Sequence, residues 1–248
     1  MTKRILIVGA ASGIGKEVSL QLAAKGYQLA LVDMNGQALV EMKALLGSRY
    51  PGVRVETEVL NITDYYRVGP VFDELAQRLG GLDIVFANAG IDLGSEVGDA
   101  DNFPDVRKTI EVNLLGAIAC IDKAISLFKK QGHGHIAVTS SLSAIRGMAG
   151  NGYAGYSASK SGINRYMESL YAELMRDGLH KSITTGTIMP GHVITPMEDK
   201  GMSVTVAAKA IVKAIETRKR SVVITGLLWN IARWLMPILP TRLMLAFD

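Results

Sequence analysis

A chain of 248 residues that is 48% hydrophobic and 20% charged can bury a full core, and no linker-like stretch divides it, so one large α/β domain is expected. The single cysteine, Cys120, excludes disulfides and a thiolate metal site and suits a reducing compartment. The formal charge of +4 is spread along the chain except at Arg218, Lys219 and Arg220, without interleaved aromatics, which excludes a nucleic-acid surface.

Lys3 and Arg4 precede a short apolar run, but that run passes into a glycine turn with no cleavage-site pattern. No leader is therefore expected, and the expected location is the cytoplasm. The run Arg4 to Val8 reads as a strand, Gly9-Ala-Ala-Ser12-Gly13-Ile14-Gly15 as a turn, and the helical spacing of Ile14, Val18 and Leu22 as a following helix. Such a turn aims backbone N–H groups from the positive end of a helix at a pyrophosphate, and glycine permits its close approach. The next strand, Gln28 to Val32, delivers Asp33 about 20 residues beyond Gly13, where a carboxylate accepts the ribose hydroxyls of adenosine and repels a 2′-phosphate. No Arg or Lys stands at 10–12 or directly after Asp33 to welcome that phosphate, so NAD(H) is expected over NADP(H).

Val53, Val55, Thr57 and Val59 alternate as a third strand, with Asn61 just beyond it in reach of an adenine. A helix follows over about Thr63 to Leu79. Leu82 to Ala87 is a fourth strand, ending in Asn88-Ala89-Gly90, whose small residues can lie against a cofactor. From Asn102 and Pro104 one long helix is expected to run to Lys130, with the amide of Asn113 set among Ile110, Val112, Leu114 and Leu115.

His135 to Val138 reads as a buried strand presenting Thr139, Ser140, Ser141 and Ser143 at its carboxyl end. A helix from about Tyr156 to Asp177 places Tyr156 and Lys160 on one face. An ammonium beneath the phenol is expected to lower its pKa and fit it for proton exchange with a carbonyl or alcohol. A strand over Ile183 to Met189, the turn Pro190-Gly191-His192-Val193-Ile194-Thr195, a helix over Val204 to Thr217 and a strand over Val222 to Thr225 complete the series. This alternation predicts a single Rossmann-type, doubly wound parallel sheet of seven strands with helices on both faces, and each motif falls at a strand's carboxyl end.

Four motifs in order, Gly9…Gly13-Ile-Gly15, Asn88-Ala-Gly90, Asn113 in Val-Asn-Leu-Leu-Gly and Tyr156-Ser-Ala-Ser-Lys160, resemble those of the short-chain dehydrogenase/reductase family over roughly Arg4 to Thr225. The resemblance implies a nicotinamide cofactor and a tetrad of Asn113, serine, Tyr156 and Lys160. Tyrosine would be the acid/base, lysine would also hold the nicotinamide ribose, serine would orient the substrate oxygen and asparagine would support a relay water. It also implies that Pro190, Gly191, Val193 and Thr195 hold the carboxamide. Val8 stands where the family usually has threonine, which forfeits a hydroxyl that braces the turn but leaves the phosphate-facing backbone intact, and Asn61 stands where it has aspartate, so weaker contact with the adenine is expected. The family's usual spacing to the tyrosine selects Ser143, while the position just after the strand selects Ser141, which is preferred. The expected activity is hydride exchange between the cofactor and a secondary alcohol or ketone, a lipophilic small molecule. The alternative is a non-catalytic dinucleotide-binding sensor or scaffold. No metal is expected, and the expected assembly is a homodimer or homotetramer.

Residues 226–248 are set apart from the domain over 1–225 by their composition. Leu227, Leu228, Ile231, Trp234 and Leu235 form a short helical pattern that Pro237 and Pro240 break, and no apolar run reaches the 18 or so residues of a membrane span. Three readings stay open for this tail: peripheral contact with a membrane, a cap on the pocket, or an assembly element.

Overall fold

In the computed structural model, which describes residues 3–94, 97–147, 153–195, 197 and 201–224, β1 (Arg4–Val8) turns alternate side chains to opposite faces. Ile5 and Ile7 enter one core and Leu6 and Val8 the other. Around β1 lie β2 (Gln28–Asp33), β3 (Val55–Val59), β4 (Ile84–Ala87), β5 (Gly134–Thr139), β6 (Ile183–Pro190) and β7 (Ser221–Ile224). They form one parallel sheet in the order β3-β2-β1-β4-β5-β6-β7. The expected seven-stranded doubly wound sheet is what forms.

One face is covered by α1 (Gly13–Ala24), α2 (Gly36–Arg49) and α7 (Val204–Glu216), the other by α3 (Tyr65–Leu79), α5 (Ala117–Gln131) and α6 (Tyr153–Arg176). Cys120 lies in the second core, fully buried, and burial pushes its thiol up to about 12. The strand order reverses between β1 and β4, and a crevice opens there at the carboxyl ends.

The structure departs from expectation at three elements. Helix α2 has no counterpart in the sequence reading, although Asn35 caps it by accepting from the Ala38 N–H at 3.0 Å and Leu39, Met42 and Leu46 are its buried residues. The long helix expected from Asn102 is instead α4 (Phe103–Ile110), a π-helical segment (Glu111–Gly116) and α5. Gly116 in that segment packs on Ile62 so closely that a Cβ would sit 2.7 Å from its Cγ1. Finally, α6 starts at Tyr153, a turn ahead of Tyr156. The tail over 226–248 lies outside the described residues; among the described residues no helix is long and apolar enough to cross a membrane.

Candidate active site

β1 ends at Val8, and Gly9 turns the chain with φ +73° while lying so near β4's end that a Cβ would come 2.7 Å from the Ala89 Cα. At Gly15 a Cβ would lie 1.9 Å from the Gly9 carbonyl oxygen, so only glycine closes the turn. The Ser12 side chain makes no capping bond at the start of α1. Ser12, Gly13 and Ile14 line the crevice, so the helix's positive end and its unpaired first-turn N–H groups open on it. This cradle fits a pyrophosphate. At the end of β2 the Asp33 carboxylate accepts from the N–H groups of Ala11, at 2.9 Å, and Asn35, at 3.0 Å, which fixes it at the rim with acceptor capacity left over. Asn61 also lines the crevice, but its side-chain oxygen already accepts from the Thr63 N–H at 3.1 Å and the Thr63 hydroxyl at 2.9 Å.

The Asn88 amide joins three strand ends. It donates to the Gly9 carbonyl at 3.2 Å and accepts from the Thr139 hydroxyl at 2.9 Å. Beyond it, Gly90 is confined, because a Cβ there would lie 3.2 Å from both the Asn113 Oδ1 and the Lys160 Nζ. Asn113 itself is 1% exposed within the π-helical segment. Its Oδ1 accepts from the Ile91 N–H at 2.8 Å, and its Nδ2 donates to the Ile91 carbonyl at 2.7 Å and approaches the Ser159 hydroxyl at 3.3 Å. An amide among apolar residues thus has its reason: it clamps the loop that leaves β4.

Ser141 and Tyr156 meet at the other end of the crevice, where the serine hydroxyl is hydrogen-bonded to the phenol. Ser143 is buried, its hydroxyl finds no partner among the described residues, and its N–H donates to Ser141 Oγ at 3.2 Å. Of the two serines, Ser141 therefore engages the tyrosine. Lys160 is 3% exposed, with its ammonium 5.6 Å from the centroid of the Tyr156 ring and donating to the Thr139 carbonyl at 3.0 Å.

The expected lowering of the phenol's pKa does not occur. Burial pushes Tyr156 up to about 12, the Ser141 hydrogen bond pulls against it, and the Asp92 carboxylate and Tyr153 push further. Burial also brings Lys160 down to about 8, against the pull of Asp92. The ammonium is turned to a backbone carbonyl, and loss of water outweighs the neighbouring charge.

One crevice of about 1330 Å³ gathers these groups. Its walls include Gly9, Ser12, Gly13, Ile14, Asp33, Asn61, Asn88, Ala89, Gly90, Ser141, Tyr156, Lys160, Pro190, Gly191, Val193 and Thr195. Of the site residues read from the sequence, Gly15 and Asn113 alone stand behind the wall. Val193 is buried and bridges Met202, and Thr195 Oγ1 accepts from the Met197 N–H at 3.2 Å. The crevice is also lined by the apolar Leu93, Phe103, Leu142 and Met197, alongside the charged Arg107, Lys108 and Glu111. Sequence reasoning missed three contributors: the Thr139 carbonyl under Lys160, Ser159 between Asn113 and the Tyr156 carbonyl, and Asp92. The position of Asp92 just past Asn88-Ala-Gly90 was the available signal.

The model of the short chain dehydrogenase family matches residues 3–204. This chain belongs to that family. An uncharacterized oxidoreductase of Mycobacterium tuberculosis is 35% identical over 247 residues, covering 97% of this chain and 95% of its own. Levodione reductase of Leifsonia aquatica is 30% identical over 198 residues, covering 80% of this chain and 72% of its own. A crystal structure of levodione reductase superposes with a TM-score of 0.80 at 25% identity, over 90% of this chain and 96% of that one. As a short chain dehydrogenase the chain is an oxidoreductase of a family that binds nicotinamide cofactors and acts on CH–OH or keto groups, and the glycine turn, the helix start and Asp33 are the parts of it that fit the dinucleotide.

Proposed function

We propose that this dehydrogenase prefers NAD(H) and interconverts a ketone and a secondary alcohol, with Tyr156 as the general acid and base. The observation that carries the reading is a single crevice with Asp33 at one end and the hydrogen-bonded Ser141–Tyr156 pair beside buried Lys160 at the other. A bound nicotinamide cofactor supplies or accepts the hydride. The glycine turn and the start of α1 hold its pyrophosphate, Asp33 its adenosine ribose, Lys160 its second ribose, and Pro190, Gly191, Val193 and Thr195 its carboxamide.

In reduction the Ser141 hydroxyl holds the carbonyl oxygen and Tyr156 delivers a proton to it. A phenol pushed up to about 12 stays protonated at neutral pH, as a donor must, whereas alcohol oxidation requires the phenolate. Reduction is therefore expected to proceed at neutral pH, and oxidation to rise with pH. Asn113 acts as a positioning residue through Ile91. Leu93, Phe103, Leu142 and Met197 favour a lipophilic substrate.

Chains of the same fold are solved with NADP and with NAD, so the preference rests on Asp33. Titration of the full chain with NADH and NADPH, followed by nicotinamide fluorescence, checks it. NADH is expected to bind at least tenfold more tightly, which needs about 1.4 kcal/mol; equal affinities would contradict the assignment.

A further inference from the structure

A second cavity, of about 570 Å³, opens at the amino end of the sheet, opposite the crevice. Lys3, Arg4 and Gln28 come to it from the starts of β1 and β2, Asp83 and His133 from just before β4 and β5, and Glu216 and Arg218 from the end of α7. Its size falls within the roughly 300–1,000 Å³ of small-molecule sites.

Each carboxylate of this cavity already has its cation. Asp83 accepts from Arg4, Nη2 to Oδ1 at 2.9 Å and Nε to Oδ2 at 3.1 Å, and Glu216 accepts from Lys25 at 2.6 Å. Lys3 and Arg218 are exposed and, among the described residues, neither pairs with a carboxylate; Lys3 is set over the Tyr27 ring, 5.8 Å from its centroid. Gln28 Oε1 accepts from the Arg54 N–H at 2.5 Å, and its Nε2 meets no acceptor among the described residues. The cavity is therefore rich in free donors and carries two uncompensated positive charges.

The backbone holds Arg218 in place at a conformational cost. Its φ is +49°, and among the described residues it is the one positive-φ residue other than glycine. It closes α7 in a Schellman motif, its N–H donating to the Ile215 carbonyl at 3.1 Å and the Lys219 N–H to the Ala214 carbonyl at 3.0 Å. The same pair of bonds closes α1 and α6, but around Gly26, at φ +81°, and Gly178, at φ +71°. A side chain disfavours that backbone region, and a residue held there by its fold points to function. The negative end of α7 works against an anion, but its Ala214 and Ile215 carbonyls are already bonded to these two N–H groups.

We propose that this cavity is an accessory binding site for a phosphate dianion, free or carried by a small molecule, held between Lys3 and Arg218 with the Gln28 amide as a further donor. Two positive charges balance a group that carries close to two negative ones above pH 7, and the arginine fork matches its oxygens. A carboxylate would leave one of the cations unbalanced. The site stands apart from the crevice and rests on no part of the catalytic reading.

Histidine resonances separate the two places. His133 lines this cavity, and His192 lines the crevice, whose glycine turn also suits a phosphate. Inorganic phosphate and glycerol 3-phosphate are titrated into the full chain at about pH 8, with chloride holding the ionic strength constant, and the carbon–proton correlations of the four histidines are followed. The expected result is a saturable shift of His133 with a dissociation constant on the order of 1 mM. Arg218→Gly should weaken it at least tenfold and Lys3→Ala at least threefold, with any shift of His192 left as it was. The melting temperature of Arg218→Gly should equal or exceed the native value, because glycine suits the left-handed position. Tighter binding of the ester identifies a phosphorylated small molecule as the ligand and equal binding identifies free phosphate; both uphold the site. A His133 shift that grows linearly with concentration, or one that both variants leave intact, would overturn the proposal. So would shifts of His133 and His192 that share one dissociation constant in all three proteins, which would place the phosphate in the crevice alone.

Discussion

At Tyr156, burial and hydrogen bonding pull in opposite directions. Loss of water raises the phenol to about 12, the Ser141 hydroxyl opposes this, and the Asp92 carboxylate adds to it. Asp92 acts on Lys160 in the same sense, holding up the pKa of an ammonium that burial brings down to about 8. Asp92→Asn removes a negative charge that disfavours phenolate, so the phenol's pKa should fall. Alcohol oxidation, which needs the phenolate, should rise with pH in the native protein, and in the variant that rising limb should move to lower pH. Rate–pH profiles of the two proteins measure it; an unmoved limb, or one displaced to higher pH, would remove Asp92 from the account. None of this is legible in sequence. Tyr156-x-x-x-Lys160 states that two groups share a helix face, but not that the ammonium turns to the Thr139 carbonyl or that the phenol loses its water.

Helices and turns were readable where one short stretch carries its own reason. The turn from Gly9 to Gly15 is such a stretch, because Gly9 and Gly15 answer collisions with a neighbouring strand end and within the turn, and Gly13 takes a positive φ of 48°. The segment from Phe103 to Gln131 was not, because the break at Glu111–Gly116 lies where Asn113 reaches Ile91, 22 residues away, and where Gly116 meets Ile62. Helix α2 escaped notice because its buried positions are only Leu39, Met42 and Leu46, while Val40 and Leu45 are apolar yet exposed and blur the stripe. Asn113→Ala strips both Ile91 backbone groups of their partners, and an unpaired buried group costs about 1–3 kcal/mol. The expected outcome is an unfolding free energy, read from urea denaturation, lowered by that order, together with a fall in kcat, because Asp92 and Gly90 lose their anchor. A variant with native stability and native kcat would show the clamp to be idle.

A further buried titratable group, His135, stands away from the crevice walls. His135, near the amino end of β5, is 1% exposed, with Nδ1 2.9 Å from the Thr184 hydroxyl. Burial first, and then the Arg218 charge, bring its pKa down to about 4 from 6.5. Between those values the unfolded chain binds a proton that the folded chain refuses, so stability is flat above pH 6.5 and falls as the pH drops toward 4. From pH 7 to 5 this group alone should remove about 2 kcal/mol, read from urea unfolding. His135→Gln should abolish most of that dependence; an equal decline in the variant would place the acid sensitivity elsewhere. The parallel sheet was legible at this scale because strands and helices alternate along the chain, and the crevice because the glycine turn, Asp33, Asn88-Ala-Gly90 and Ser141 follow strand ends. That Leu93, Phe103 and Met197 line one crevice was not, since those residues share it only in the fold.

The central claim is that Tyr156 moves the proton while other groups hold the cofactor. NADH affinity of Tyr156→Phe, set beside its rate of ketone-dependent NADH oxidation over a panel of lipophilic ketones, tests it most directly. The account predicts affinity close to native and turnover lower by about 10²–10⁴-fold, the usual contribution of a positioned acid. Turnover within a few-fold of native, with affinity likewise preserved, would contradict it.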